Sequence, residues 1–233
     1  MRVLLRLLPA VIATGLLVIV AVGAVALAGS PDLKLPLDPW RGLSDPDREA
    51  QVQSAYEQQA KFIRDFNASG QDPRSLHREA SQSFYAGPDS LGEALGASDF
   101  VVLATVRTVT FEPIAGQWLG QARVTIDVLR SLKGQAGATL ELIQPGNPAP
   151  TADGHGVLQE LDVAPILMPG DRVILMLTRV DSGALTPLAG AGIAYLEAGL
   201  VRTLDRSALQ SMLSGQTETE ALELYSAGLT GIK

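Results

Sequence analysis

Hydrophobic residues follow three different patterns along this chain. The first is continuous. After Arg2 and Arg6, no charged residue interrupts the 25 positions from Leu7 to Pro31. As a helix rising about 1.5 Å per residue, that run would reach about 37 Å, more than the ~30 Å of a hydrocarbon core. Pro9 stands near its start, where a helix tolerates proline, and Gly15 and Gly23 are of a kind common in membrane helices. The length favours an uncleaved signal anchor over residues 1–29. Ala26-Leu27-Ala28 ahead of Gly29 reads instead as the cleavage site of a signal peptide. Both readings keep the arginines in the cytoplasm and place everything after Ser30 outside. The chain is then a single-pass membrane protein held by residues 7–29, or is secreted after cleavage following Ala28.

The second pattern is helical. Ser30 to Ser44 is a linker punctuated by Pro31, Pro36 and Pro39, with Trp40 alone in it. From Asp45 the spacing predicts a helix. Ser44 or Asp45 caps it, Pro46 takes the first helical position, and Asp47 and Glu49 face the positive end of the dipole. Val52, Tyr56, Ala60, Ile63 and Phe66 form its apolar stripe, Glu57 is set to pair with Lys61, and Asn67, Ser69 and Gly70 end it. Residues 71–90 read as a polar connector. Ser90 caps a short helix, Leu91 to Ala97, with Glu93 at the capping-box position.

The third pattern has period two. Phe100 to Phe111 is rich in β-branched residues and predicts a long strand. In Gln121 to Leu129, Ala122, Val124, Ile126 and Val128 alternate with polar residues. Ser131 to Gly134 reads as a turn, followed by strands at Thr139 to Gln144 and Asp171 to Val180. A hairpin spans 194–204 around Ala198-Gly199. Strands following one another without intervening helices predict a small closed barrel rather than a βαβ sheet. Asp205 caps a last helix from Arg206 to Ser214, residues 217–227 form another, and the tail from Gly228 should fray. The organisation expected is 1–29 anchor or signal, 30–90 linker and amphipathic helix, 91–205 barrel, and 206–233 helical tail.

Composition narrows the chemistry. Charged residues make up 18% of the 233, and there is no Cys, which excludes disulfides, thiolate metal sites, a Cys nucleophile and a lipoprotein anchor. Without residues 1–28, 16 basic side chains face 25 acidic ones, and no Lys/Arg cluster occurs. That balance argues against nucleic acid as a partner. Asn67-Ala68-Ser69 matches a glycosylation sequon, a common tripeptide.

Pro145 to Pro165 reads as a long polar loop holding Asp153, His155, Glu160 and Asp162. Four oxygen or imidazole donors within ten residues are a candidate divalent-metal set, although EF-hand and His-x-x-x-His spacings are lacking. No nucleophile motif occurs, and His77 lies far from His155. Gly190-Ala-Gly192 lacks a dinucleotide loop's third glycine and fits a strand-edge turn with close backbone approach. Asp99 is placed to cap the preceding turn, and Met168 and Met176 read as core fillers. No cofactor is implied.

The order of segments carries a resemblance. Ala-Ser-Asp-Phe-Val-Val-Leu-Ala-Thr-Val (97–106) is followed by Val-Thr-Ile-Asp-Val-Leu-Arg-Ser-Leu-Lys-Gly (124–134). Then come Gln-Pro-Gly (144–146) and Pro-Gly-Asp-Arg-Val-Ile-Leu-Met-Leu (169–177), before a terminal hairpin. This resembles uncharacterised exported bacterial proteins with netrin-like, tissue-metalloproteinase-inhibitor-like domains. The resemblance implies an OB-type five-stranded barrel over about residues 91–204. Those inhibitors use an N-terminal Cys that this chain lacks, so no inhibitory residue carries over, and protease inhibition rests on fold analogy alone.

The fold expected is therefore mainly β with flanking helices (α+β): a small OB-like antiparallel barrel plus an N-terminal transmembrane or signal helix. The function expected is a non-enzymatic binding domain of the bacterial cell envelope with a protein partner there. A metal-dependent ligand binder or hydrolase using the 145–165 loop is the alternative, which leaves enzymatic activity open.

Overall fold

The computed structural model describes residues 45–81, 87–114, 119–151, 155–203 and 208–231. The apolar N-terminus, Trp40, Trp118, Asp153 and the expected cap Asp205 lie outside them. Among the described residues no helix is long and apolar enough to cross a membrane. The chain is mostly β, with a closed five-stranded barrel and a few helices. It divides into two compact units. Among the described residues, a barrel unit comprises those within 87–110, 122–145 and 161–231, and a helix–hairpin unit those within 45–81, 111–121 and 146–160.

The barrel unit is built from β2 (Phe100–Glu112), β3 (Gln121–Lys133), β4 (Thr139–Pro150), β6 (Arg172–Arg179) and β7 (Leu185–Pro187). In the helix–hairpin unit, α1 is Asp45–Ser69, β1 is His77–Ser81 and β5 is Gly156–Leu161. The barrel order is β4-β3-β2-β6, with β7 pairing both β6 and β4 and so closing the ring. The β4–β7 pairing, at Leu142 and Leu185, is parallel, a departure from the all-antiparallel barrel expected. The three-residue β7 carries no period to read, yet closure depends on it.

Residues 101–104 of β2 and 173–177 of β6 are buried on both faces, which explains their unbroken apolar runs. Their antiparallel register sets Val101 opposite Met176 and Val102 opposite Leu175. Val101, Leu103, Ile174 and Met176 share a cluster with Ala94 and Leu95 of α2 (Leu91–Ala97) and with Ala221 and Tyr225 of α4 (Glu218–Gly231). Alternation turns Val102, Ala104, Val173 and Leu175 to the opposite, interior face. Val124, Ile126 and Leu142 are fully buried, as the period-two pattern of β3 requires. Met168 and Met176 are buried fillers, as expected.

Several sequence expectations need correction in this unit. β3 runs on to Lys133, through the turn expected at Ser131. The Lys133 ammonium donates to the carbonyl oxygens of Leu95 and Ser98, ending α2. Asp99 does not cap the preceding turn by its side chain; its Oδ2 accepts the Arg179 N–H at 2.7 Å. The tail does not fray at Gly228: α4 continues to Gly231, and a Cβ on Gly228 would come 2.6 Å from Leu95 Cδ1.

Other expectations hold. Ser90 Oγ accepts from Glu93 N, and Glu93 reaches back to Asp89 N. The hairpin of β8 (Ile193–Glu197) and β9 (Leu200–Arg202) turns through Ala198 and Gly199, both at positive φ. Gly192 sits where a Cβ would be 2.3 Å from Leu188 N, the close backbone approach its sequence suggested. A further short helix, α3, is Ala208–Leu213, and Gly215 at φ 82° stops it.

In the helix–hairpin unit, α1 buries Ala60, Ile63 and Phe66, the lower part of the expected stripe, while Val52 and Tyr56 are half-buried. Phe66 meets Phe111 edge-on, with ring centroids 5.8 Å apart. Lys61 turns to Asp65 rather than Glu57, and Glu57 accepts from Gln53. The polar connector of residues 71–90 contains a strand, β1, that its mixed composition hid.

The largest revision concerns residues 145–165, of whose described positions most are strand rather than loop. β4 continues to Pro150, and β5 pairs with it antiparallel, Pro148 opposite Leu158 and Pro150 opposite Gly156. Pro145, Gly146, Pro148 and Pro150 look like breakers, yet proline's fixed φ suits extended backbone. Asn147 ties this proline-rich stretch to residue 120: its Oδ1 accepts the Gly120 N–H at 2.6 Å, beside the Gly146 N–H to Gly120 O bond of 3.0 Å.

Candidate functional site

The four residues proposed from sequence as a metal set have different environments. Asp153 lies outside the described residues. His155 is exposed, at the start of β5, and its backbone oxygen accepts from Thr151 N and Oγ1. Asp162 is exposed and belongs to the barrel unit. Glu160 points into the helix–hairpin unit and is only 5% exposed. Its carboxylate is gripped in two places by Arg78 of β1, Nε to Oε1 at 2.7 Å and Nη2 to Oε2 at 2.5 Å. Among the described residues no three His, Asp or Glu side chains gather into a group that could hold a metal ion.

The Arg78–Glu160 pair is the strongest polar feature the sequence reading missed. A buried carboxylate needs a partner, and a forked guanidinium satisfies both oxygens in one plane. The signal was present in Val157-Leu158-Gln159-Glu160-Leu161, where an acid occupies a position that alternation assigns to the inside of a strand. Its partner, 82 residues away, carried no such mark.

Buried amides form a second group. Gln59 Nε2 donates to Pro148 O at 3.2 Å, and Asn147 Nδ2 reaches the same oxygen at 2.9 Å. Asn67 makes a two-point bond to Phe111, its Nδ2 donating to the carbonyl and its Oδ1 accepting from the N–H. In the barrel unit, Gln144 does similar work between Pro165 O and Leu167 N.

The outer face of the β2-β3-β4 meander carries charge in matched pairs. Arg107 binds Asp127 on the neighbouring strand, and Arg123 binds Glu141 on the next. Thr125 lies between them on the same face of β3. No family model matches the chain, and no curated protein or solved structure matches it either. The chemistry of these faces is therefore what a functional reading rests on. This wall is polar and close to neutral, and its arginines are already engaged by carboxylates. Phosphate recognition draws on clustered cations with open donors.

Proposed function

We propose that this chain is a bacterial envelope protein, tethered by residues 7–29 or secreted after Ala28, whose barrel is a non-enzymatic interaction domain. The supporting observation is the pairing on the meander face: Arg107–Asp127 and Arg123–Glu141 present alternating charges that a partner surface of complementary charge could match. The N-terminal apolar run supports the location. We read the barrel as OB-type, because three consecutive strands and two returning ones close in the order β2-β3-β4-β7-β6. Kinship with netrin-like and tissue-metalloproteinase-inhibitor-like domains belongs to this proposal and extends to the fold alone.

Two experiments test the reading. A reporter active only outside the cytoplasm, fused after Lys233, should work with the full chain and fail without residues 1–29; a full-length fusion that is made but inactive would end the envelope assignment. Photocrosslinkers at Thr105, Thr125 and Ile143 should then capture one and the same envelope protein in living cells. Capture should vanish when Arg107, Arg123, Asp127 and Glu141 are replaced by Ser. Capture unaffected by those changes would remove the meander face from the proposal.

A further inference from the structure

We propose that β1 is a detachable edge strand, pivoting at Leu76 and latched by the Arg78–Glu160 pair, so that the helix–hairpin unit opens along β5 while β4 stays folded. β1 is the last strand in the sheet order. Its residues His77 to Ala80 are exposed and Ser81 is half-buried, so no side chain of β1 anchors it by apolar burial. Strands gain most of their stability from side-chain packing, and ladder bonds alone contribute little net. The segment just before β1 is fixed by contrast. Asp72 accepts the Arg74 N–H at 2.9 Å in the Pro73–Ser75 turn. Leu76 is buried against Gly156, where a Cβ would come within 2.8 Å of Leu76 Cδ2.

The strand at the other end of the sheet order is held differently. In β9, Val201 is 2% exposed, its N–H donates to Gln216 O at 2.7 Å and its carbonyl accepts from Gly215 N at 2.8 Å. β9 is thus bound through a buried side chain and along both edges. β1 is held by its ladder with β5 and by the forked Arg78–Glu160 pair, whose acid is buried. That pair ties the strand to β5 through Arg78, as a latch does. Release bares the backbone groups of β5 that β1 now pairs.

Native-state hydrogen exchange on the full chain, followed by mass spectrometry across a denaturant series, tests this. In the unaltered protein, amides of residues 77–81 should exchange through an opening insensitive to denaturant, while those of 146–150 and 172–177 follow steeper, larger openings. Glu160→Gln, which keeps the shape and removes the charge, should speed exchange at 77–81 by roughly tenfold and leave 172–177 unchanged. Arg78→Met should do the same or more. Protection and denaturant slope at 77–81 matching those at 146–150 would overturn the proposal, as would unchanged exchange in Glu160→Gln. Should either variant fail to fold, the slope in the unaltered protein decides alone.

Discussion

The barrel and the helix–hairpin unit reach a folded state by different means. In the barrel, residues 101–104 of β2 and 173–177 of β6 are buried on both faces, and apolar residues fill the space on each side. In the helix–hairpin unit the stripe of α1 buries Ala60, Ile63 and Phe66, and directed bonds do the rest: Gln59 and Asn147 to Pro148, Asn67 to Phe111, Arg78 to Glu160. Apolar burial contributes roughly 1.5–3 kcal/mol per large side chain and is indifferent to small shifts. A hydrogen bond contributes about 1 kcal/mol net but fixes one geometry. The barrel is therefore the stable partner, and the other unit is the specific one.

The sharpest way to break this contrast is to put a charge in the barrel wall. Ile126→Asp buries a carboxylate at a site with no exposure, and should cost over about 4 kcal/mol and unfold the barrel in a thermal melt. An unchanged melting temperature would refute the register of β3. A smaller effect is expected from Asn147→Leu. It strands the Gly120 N–H, and denaturant titration should show a loss of about 1–3 kcal/mol. Exchange should rise around 119–121 and 146–150 and stay unchanged at 172–177. Equal loosening of both regions would erase the distinction between the units.

Tyr225 sharpens the comparison from the barrel side. It is buried, its hydroxyl lacks a hydrogen-bond partner among the described residues, and burial pushes its pKa well above the ordinary 10.0. The unfolded chain then releases this proton first, so stability falls as pH climbs past about 10. Tyr225→Phe should be near neutral at pH 7, because no bond is lost, and should lessen the alkaline loss in pH-dependent melts. The smallest effect is expected at Ala198, which holds φ 52° in the β8–β9 turn. Ala198→Gly relieves that conformation and should stabilise by about 0.5–1 kcal/mol in denaturant titration.

Legibility in the sequence followed the same division. The barrel strands were readable because alternation and β-branching are local, and so were the caps at Ser90 and the turn at Ala198-Gly199. β7 was not, since three residues carry no period, and the parallel closure went unread with it. The second half of β4, past Gln144, and β5 were hidden behind Pro145, Pro148 and Pro150, because the bond that fixes this stretch joins Asn147 to Gly120, far apart in the chain. In the candidate site, Asp153, His155, Glu160 and Asp162 were grouped by proximity in sequence; of these, Glu160 belongs to a strand interior and answers to Arg78. Sequence nearness marks a solvated cluster well and a buried pair poorly.

One feature of the barrel unit bears on the order in which the protein takes shape. α4, near the end of the chain, delivers Ala221 and Tyr225 to a cluster that includes Leu95 and Val101, more than a hundred residues earlier. Gly228 completes the seat against Leu95. The early strands therefore keep one face bare until residues 221–225 have been made. Folding cannot run from front to back as the chain emerges, and its last step is a long-range closure that a stop codon before Ala221 would forbid.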